Sequence, residues 1–223
     1  MSQETAPAES GSLSAPQAVG CGCLALVGVL LAVVLLPFVL VAWDSRGSTD
    51  FPRVAPEERA SRAFERSREA YDVLGFERTV EPGGEDTGVG PENGYGTDFC
   101  WDGGLLGMDD KTVDGAYRMS HGWALDHVPA SQAAPGLRRL HRQLADDGWK
   151  VTSYREGGQG EDWELRVQQD DPDERMSFHW DPDREYFTGS AGLPCAYDPD
   201  WADDDTEPAG GGQVPPVLGP ARG

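Results

Sequence analysis

Twenty consecutive residues, Leu24 to Trp43 (LALVGVLLAVVLLPFVLVAW), carry no charged or strongly polar side chain. A helix of that length would reach about 30 Å, the hydrocarbon thickness of a bilayer. A cleaved signal peptide would need a basic start, a shorter apolar core and small residues before its cleavage site. Here the first twenty residues hold no Lys or Arg, and Trp43 and Asp44 follow Ala42. A buried helix of a soluble protein would rarely stay apolar on every face for five turns. The segment 19–43 is therefore expected to span a membrane once, with Pro37 kinking it in a setting where bilayer helices tolerate proline. Cys21 and Cys23 precede the run, whereas lipoprotein-type attachment would place a cysteine after it.

The rest of the chain has the opposite character. Residues 44–223 hold all 18 Lys and Arg and 37 of the 39 Asp and Glu, a formal charge of −19. Such a surface disfavours nucleic acid and anionic headgroups as partners and favours a protein or a cationic component of the cell envelope. Orientation is contested within the sequence. Arg46, Arg53, Arg59 and Arg62 all follow the apolar run and none precedes it, which taken alone would retain the carboxyl-terminal part inside. Long domains, however, cross largely regardless of charge.

About 180 residues remain beyond the membrane, enough for one domain with a core. Residues 1–18 read as a disordered amino-terminal tail and 44–54 as a polar linker. A helix should start at Pro56, with Glu57 and Glu58 in its first turn, Phe64, Tyr71 and Leu74 on one stripe, and Gly75 as its stop. Residues 81–97 (EPGGEDTGVGPENGYGT) read as a mobile glycine-rich loop. No Lys and no helix signal accompany these glycines, so neither a phosphate loop nor a dinucleotide fingerprint is present, and no cofactor is expected.

From Ala116 the residues alternate, Tyr117, Met119, His121, Trp123 and Leu125 against polar or small neighbours, as a strand does. A second helix is expected from Pro135 to Gly148 on Leu137, Leu140 and Leu144. Three strands should follow in meander order, 149–155, 162–168 and 175–180, with Trp163, Leu165, Val167, Met176, Phe178 and Trp180 facing inward. The predicted fold class is α+β: one transmembrane helix, then an acidic two-layer domain over 55–200 with an antiparallel sheet of about four strands and two helices. The tail 201–223 is expected to be disordered.

Candidate functional residues are few. Cys100 and Cys195 flank the folded region and most simply form one disulfide of an exported domain, the alternative being two buried thiols in a cytoplasmic one. His121 and His127 would stand about 20 Å apart on a strand, and no zinc-type spacing involves them, His141 or His179, so no metal site is expected. The acidic runs at 170–174, 181–185 and 198–205 lack the glycine and glutamate positions of a calcium loop. Trp101 and Trp201 lie outside the predicted strands and are the candidates for an aromatic binding surface. No nucleophile motif such as GxSxG is present.

The mixture of 16 Arg with 2 Lys and a single Asn, together with GCGCLALVGVLL and HGWALDHVPA followed by GLRRLHRQLADDGWKVTSY, resembles uncharacterised membrane-anchored or exported proteins of GC-rich actinobacteria. That resemblance implies a domain outside the cytoplasmic membrane and brings no functional residues with it. The expected function is a single-pass membrane protein with a non-catalytic extracytoplasmic binding domain. Two alternatives stay open: an envelope hydrolase using Asp181 or His121, and a cytoplasmic-facing regulatory domain of a membrane complex.

Overall fold

The computed structural model describes residues 51–84, 86–102, 111–158, 161–169, 174–202 and 205–220. The segments 1–18 and 19–43 and most of the 44–54 linker lie outside the described residues. Among the residues described, no helix is long and apolar enough to cross a membrane.

Helix α1 (Pro56–Leu74) forms where its end signals place it. Pro56 occupies the first turn, where a missing N–H costs nothing, and Glu57 and Glu58 sit against the positive end of the dipole. Gly75 terminates the helix in the left-handed region at φ 73°, its N–H bonded to the carbonyls of Tyr71 and Asp72. The buried stripe runs through Ala60, Ala63, Phe64, Ser67, Ala70, Tyr71 and Leu74.

The seven strands are β1 (Glu92–Asp102), β2 (Lys111–Leu125), β3 (Lys150–Arg155), β4 (Trp163–Gln168), β5 (Arg175–Asp181), β6 (Tyr186–Gly192) and the two-residue β7 (Ala196–Tyr197). They form one antiparallel sheet in the order β1-β2-β6-β5-β4-β3, with β7 paired to β2. Helix α2 (Ala130–Asp146) carries the chain from β2 to β3 at the far edge, and the meander β3 to β6 returns to dock on β2. The domain is α+β, with a larger sheet than the roughly four strands expected.

Both helices cover one face of the sheet. Trp123 and Leu125 of β2, Phe178 and Trp180 of β5, Trp163 and Leu165 of β4 and Phe187 of β6 share a core with Tyr71 and Leu74 of α1 and Leu137 and Leu140 of α2. The helices approach closely at Gly136, where a Cβ would come within 2.9 Å of the Leu74 carbonyl. Arg139 of α2 donates to the carbonyls of Val73 and Leu74 at 3.2 and 2.6 Å, satisfying acceptors left over at the end of α1.

Four sequence expectations need correction. The glycine-rich loop predicted for 81–97 gives way at Glu92, where β1 begins. Strand β6 is not among the expected strands, because its small residues give no apolar–polar alternation. Its glycine has a structural reason: a Cβ on Gly189 would lie 2.3 Å from the Trp123 indole, which stacks on Phe187 at 5.6 Å. Helix α2 starts at Ala130, five residues before Pro135, because Pro129 already supplies an extended entry. Pro135 then removes only the bond to the Ser131 carbonyl.

The fourth correction concerns the 201–223 tail, predicted to be disordered. Residues 205–220 pack along the domain, and Leu218 is fully buried in the main core, exchanging backbone hydrogen bonds with Val80 at 2.7 and 3.0 Å. Gly210 lies against Met119 and Pro56, and Gln213 donates to Glu57 at 3.1 Å.

Cys100 and Cys195 are disulfide-bonded, with their Cα atoms 6.0 Å apart and a separation of 95 positions in sequence. In the chain-entropy treatment a loop of that size stabilises by about 4–5 kcal/mol. Replacing both cysteines (Cys100→Ser with Cys195→Ser) should lower stability by about 3–5 kcal/mol in urea unfolding, and a loss below about 1 kcal/mol would show that the bridge adds nothing. Leu218→Ala should cost about 2–5 kcal/mol by opening a cavity, whereas an undocked tail would leave the unfolding midpoint unmoved.

Candidate functional site

Both helices lie on one side, and among the described residues no helix covers the other face of the sheet. Strand alternation and register place its residues in rows running across the strands. One row reads Gly96, Ser120, Gly192, Arg175, Gln168, Lys150, and its neighbour reads Gly94, Gly122, Ser190, Ser177, Arg166, Ser153. At about 4.8 Å per strand these rows are roughly 24 Å long. Neither row contains an apolar side chain larger than glycine.

The open face is concave. A hollow of about 870 Å³ lies over Gly96, Ser120, Arg118 and Arg175, walled at one end by Phe51, Pro52, Leu193 and Pro194. A second, of about 420 Å³, continues over Ser177, Ser190, Arg166 and Gln168. A third, of about 560 Å³, extends over Gly94, Gly122 and Thr188 to Glu92. Ser120 lines all three, so they form one trough with Ser120 at its middle.

Among the described residues, the charged groups that line the three hollows are Arg118, Arg166, Arg175, Asp98 and Glu92. Arg118 holds Asp98 at 2.5 Å, and this hydrogen bond draws the Asp98 carboxyl below its ordinary pKa. Arg166 reaches Glu164 at 3.2 Å. Glu164 also accepts from the Ser153 hydroxyl at 2.8 Å, and that bond contributes most to lowering its pKa. Ser177 and Ser190 share a hydrogen bond of 2.8 Å between their hydroxyls. At the opposite end the Tyr186 hydroxyl donates to the Glu92 carboxylate at 3.0 Å. Burial, then that carboxylate, push the Tyr186 phenol up to about 12.

The glycine floor has an informative detail. Gly94 and Gly122 face each other on β1 and β2, neither has a positive φ, and a Cβ on either would meet nothing within 4 Å. Neither backbone conformation nor packing inside the domain demands glycine there. In a strand, glycine costs roughly 0.5–1 kcal/mol relative to alanine.

The candidates read from sequence fall elsewhere. Trp101 extends from the end of β1 with half its surface (51%) in solvent, and Trp201 packs edge-on against Phe99 at 6.4 Å and over Gly115. Neither lines the trough. Cys195 sits on the trough's rim. Asp181 and His121, named for a hydrolase, are on opposite faces of the sheet. Their register partners on β6, Tyr186 and Ala191, are about 17 Å apart along the strand, so the two side chains form no dyad. Asp181 instead accepts the backbone N–H groups of Asp183 and Arg184, closing the β5–β6 turn.

The other histidines are dispersed. His127 pairs with Asp126 at 2.9 Å, His141 stacks on Tyr154 at 3.9 Å and His179 meets Asp162 at 3.2 Å. Among the described residues no group of three or more metal-ligating side chains comes together.

His121 is fully buried between the rings of Phe64 and Tyr95. The Asn93 amide N–H groups donate to the carbonyls of Val80 and Pro216, both at 2.9 Å, so its oxygen faces His121 at 2.7 Å. His121 Nε2 therefore carries the hydrogen and donates, leaving Nδ1 buried without a hydrogen-bond partner among the described residues. This cluster secures the tail beside Leu218.

Compared with protein-family models, curated proteins and solved structures, the chain matches none.

Alternation in the predicted strands already assigns Arg118, Arg166 and Arg175 to the outer face, but their placement beside one another is set by strand order and register, which no local pattern shows.

Burial lowers the His121 pKa from 6.5 to about 4. Between those values the unfolded chain binds a proton that the folded one refuses, so this contribution is complete above pH 6.5 and lost as pH falls toward 4. The loss is on the order of 3 kcal/mol. His121→Gln keeps a donor toward Asn93 without a titrating ring, and should flatten the pH dependence of stability in that window by about 1.4 kcal/mol per pH unit. Identical slopes for wild type and variant in urea titrations from pH 7 to 4 would refute this.

Proposed function

We infer that the chain is a single-pass membrane protein presenting an extracytoplasmic, non-catalytic binding domain, with the open sheet face as the binding surface. The Cys100–Cys195 disulfide carries this reading, because such a bond persists in an oxidising compartment and is rare in the cytoplasm. The apolar run 24–43 supplies the anchor.

The arginines following the anchor weaken this reading less in the folded domain than in the bare sequence. Arg59 is buried and donates to the Pro194 carbonyl, Arg62 pairs with the buried Glu174 at 2.5 Å, and Arg53 lies over the Tyr197 ring at 5.9 Å. Three of the four arginines thus have structural reasons for their positions, independent of topology.

A binding role is supported by the form of the site. The trough is broad and shallow, floored by paired strands and lined by hydroxyls and guanidinium groups, the form of a surface that recognises shape and charge. Among the described residues, the lining offers no nucleophile held by a base that is itself oriented by a third group.

Topology labelling tests the reading. In intact cells expressing the full chain with Cys21→Ser and Cys23→Ser, a membrane-impermeant thiol reagent should leave the protein unlabelled. After reduction by an impermeant phosphine it should label Cys195, which is only partly buried. Labelling that appears only after lysis would place the domain inside and overturn the assignment.

A further inference from the structure

We propose that the end of the sheet where β1, β2 and β7 meet rests on the surface of the bilayer that holds the anchor, with Trp101 set into the headgroup region. The inference rests on the anchored reading above and adds a second contact between chain and membrane.

Aromatic side chains gather at this end. Phe51, Phe99, Trp101, Tyr197 and Trp201 all keep part of their surface in solvent, and none belongs to either buried core cluster. Phe51 meets Tyr197 at 5.6 Å, and Phe99 meets Trp201 at 6.4 Å. Register joins the two pairs. Tyr117 stands opposite Phe99 on one side and Ala196 on the other, and Ala116 stands opposite Tyr197. The disulfide fastens Cys100, between Phe99 and Trp101, to Cys195, two positions before Tyr197. Rings with an apolar body and a polar tip concentrate where hydrocarbon gives way to water, so a partly wet cluster of this kind suits a membrane interface.

Trp101 is the foremost of the five. Among the described residues, Lys111 and Thr112 of β2 pair only with Asp102 and Trp101 of β1, so the hairpin runs on as a two-stranded arm beyond the rest of the sheet. Trp101 stands on that arm with 51% of its surface exposed. Leaving so large a ring in water forgoes burial that a bilayer interface would supply.

The tether names the occupant. Seven residues, Asp44 to Asp50, join Phe51 to the apolar run. Fully extended they hold Phe51 within about 29 Å of Trp43, so the aromatic end stays near the membrane through every motion of the linker. A tethered contact is intramolecular in effect, and the modest attraction of a few rings suffices for it. Charge selects the headgroup. The described side chains flanking the rings include Arg53, Lys111 and Arg118 against Asp98, Asp114, Asp198 and Asp200. Arg118 is already held by Asp98, and Arg53 lies over the Tyr197 ring. The contact therefore suits zwitterionic headgroups and gains nothing from anionic ones.

The test uses the full chain with Trp43→Phe, which removes the anchor's own indole, in phosphatidylcholine vesicles brominated either just below the headgroups or near the bilayer centre. Shallow bromine should quench part of the tryptophan emission, and deep bromine less, whichever way the chain inserts. Adding Trp101→Ala should remove at least half of the shallow quenching, and Trp101→Phe repeats the measurement should the alanine variant fail to fold. Replacing about a third of the lipid by phosphatidylglycerol should leave the quenching equal or lower.

Shallow quenching that is absent, or that survives loss of the Trp101 indole undiminished, would overturn the proposal. Stronger quenching in the anionic vesicles would overturn its headgroup assignment. Flotation separates this contact from the anchor. Protein that floats with the vesicles yet shows no quenching loses only the surface contact, whereas protein that stays at the bottom of the gradient loses the anchor itself.

Discussion

The pairing of β6 with β2 holds the domain together. Before it forms, the chain has two local pieces, the β1–β2 hairpin and the β3–β6 meander, separated by α2. Their junction brings Trp123 flat against Phe187 and over Gly189, with Tyr71 and Phe76 from the α1 region meeting Trp123 edge-on at 5.1 and 6.1 Å. Large rings bury much apolar area and favour stacked or perpendicular contacts, so this group supplies both driving force and register. A one-residue slip of β6 would set Phe187 on the open face and a Cβ-bearing neighbour against the indole. The trough depends on the same register, since its rows exist only while Ser120 faces Gly192 and Gly122 faces Ser190.

The two faces of the sheet divide the chemistry. The covered face takes nearly all the aromatic and branched side chains, and with them two buried polar groups, His121–Asn93 and Glu174 with its arginines. Each group ties down a distant segment. Asn93 holds Val80 and Pro216, while Glu174 draws Arg62 and Arg66 of α1 onto the start of β5. The open face is built from residues that contribute little to the core, so its composition is free to serve another purpose.

Where the sequence alternates cleanly, the fold could be read from it. Trp163, Leu165 and Val167, and Met176, Phe178 and Trp180, face inward as the period of two requires, and α1 begins at Pro56 and ends at Gly75 as its terminal residues dictate. Strands β1 and β6 escaped notice because small residues interrupt each of them, Gly94 and Gly96 in β1 and Thr188 to Gly192 in β6, which removes the apolar–polar contrast on which periodicity depends. The tail was misread for a related reason. Its single core residue, Leu218, is paired with Val80, and no local pattern announces a contact across that separation.

Composition and short-range pattern alone determined that this chain carries a membrane-length apolar run, a strongly acidic remainder of α+β character and two cysteines suited to one bridge. Only tertiary structure decided that Arg118, Arg166 and Arg175 converge, that Gly94 and Gly122 form a bare floor, and that His121 lies in the core. The division has a physical cause. Hydropathy, propensity and charge act between neighbours in the chain, whereas strand order and register are settled by the packing of Trp123, Phe187 and the helices across the whole domain.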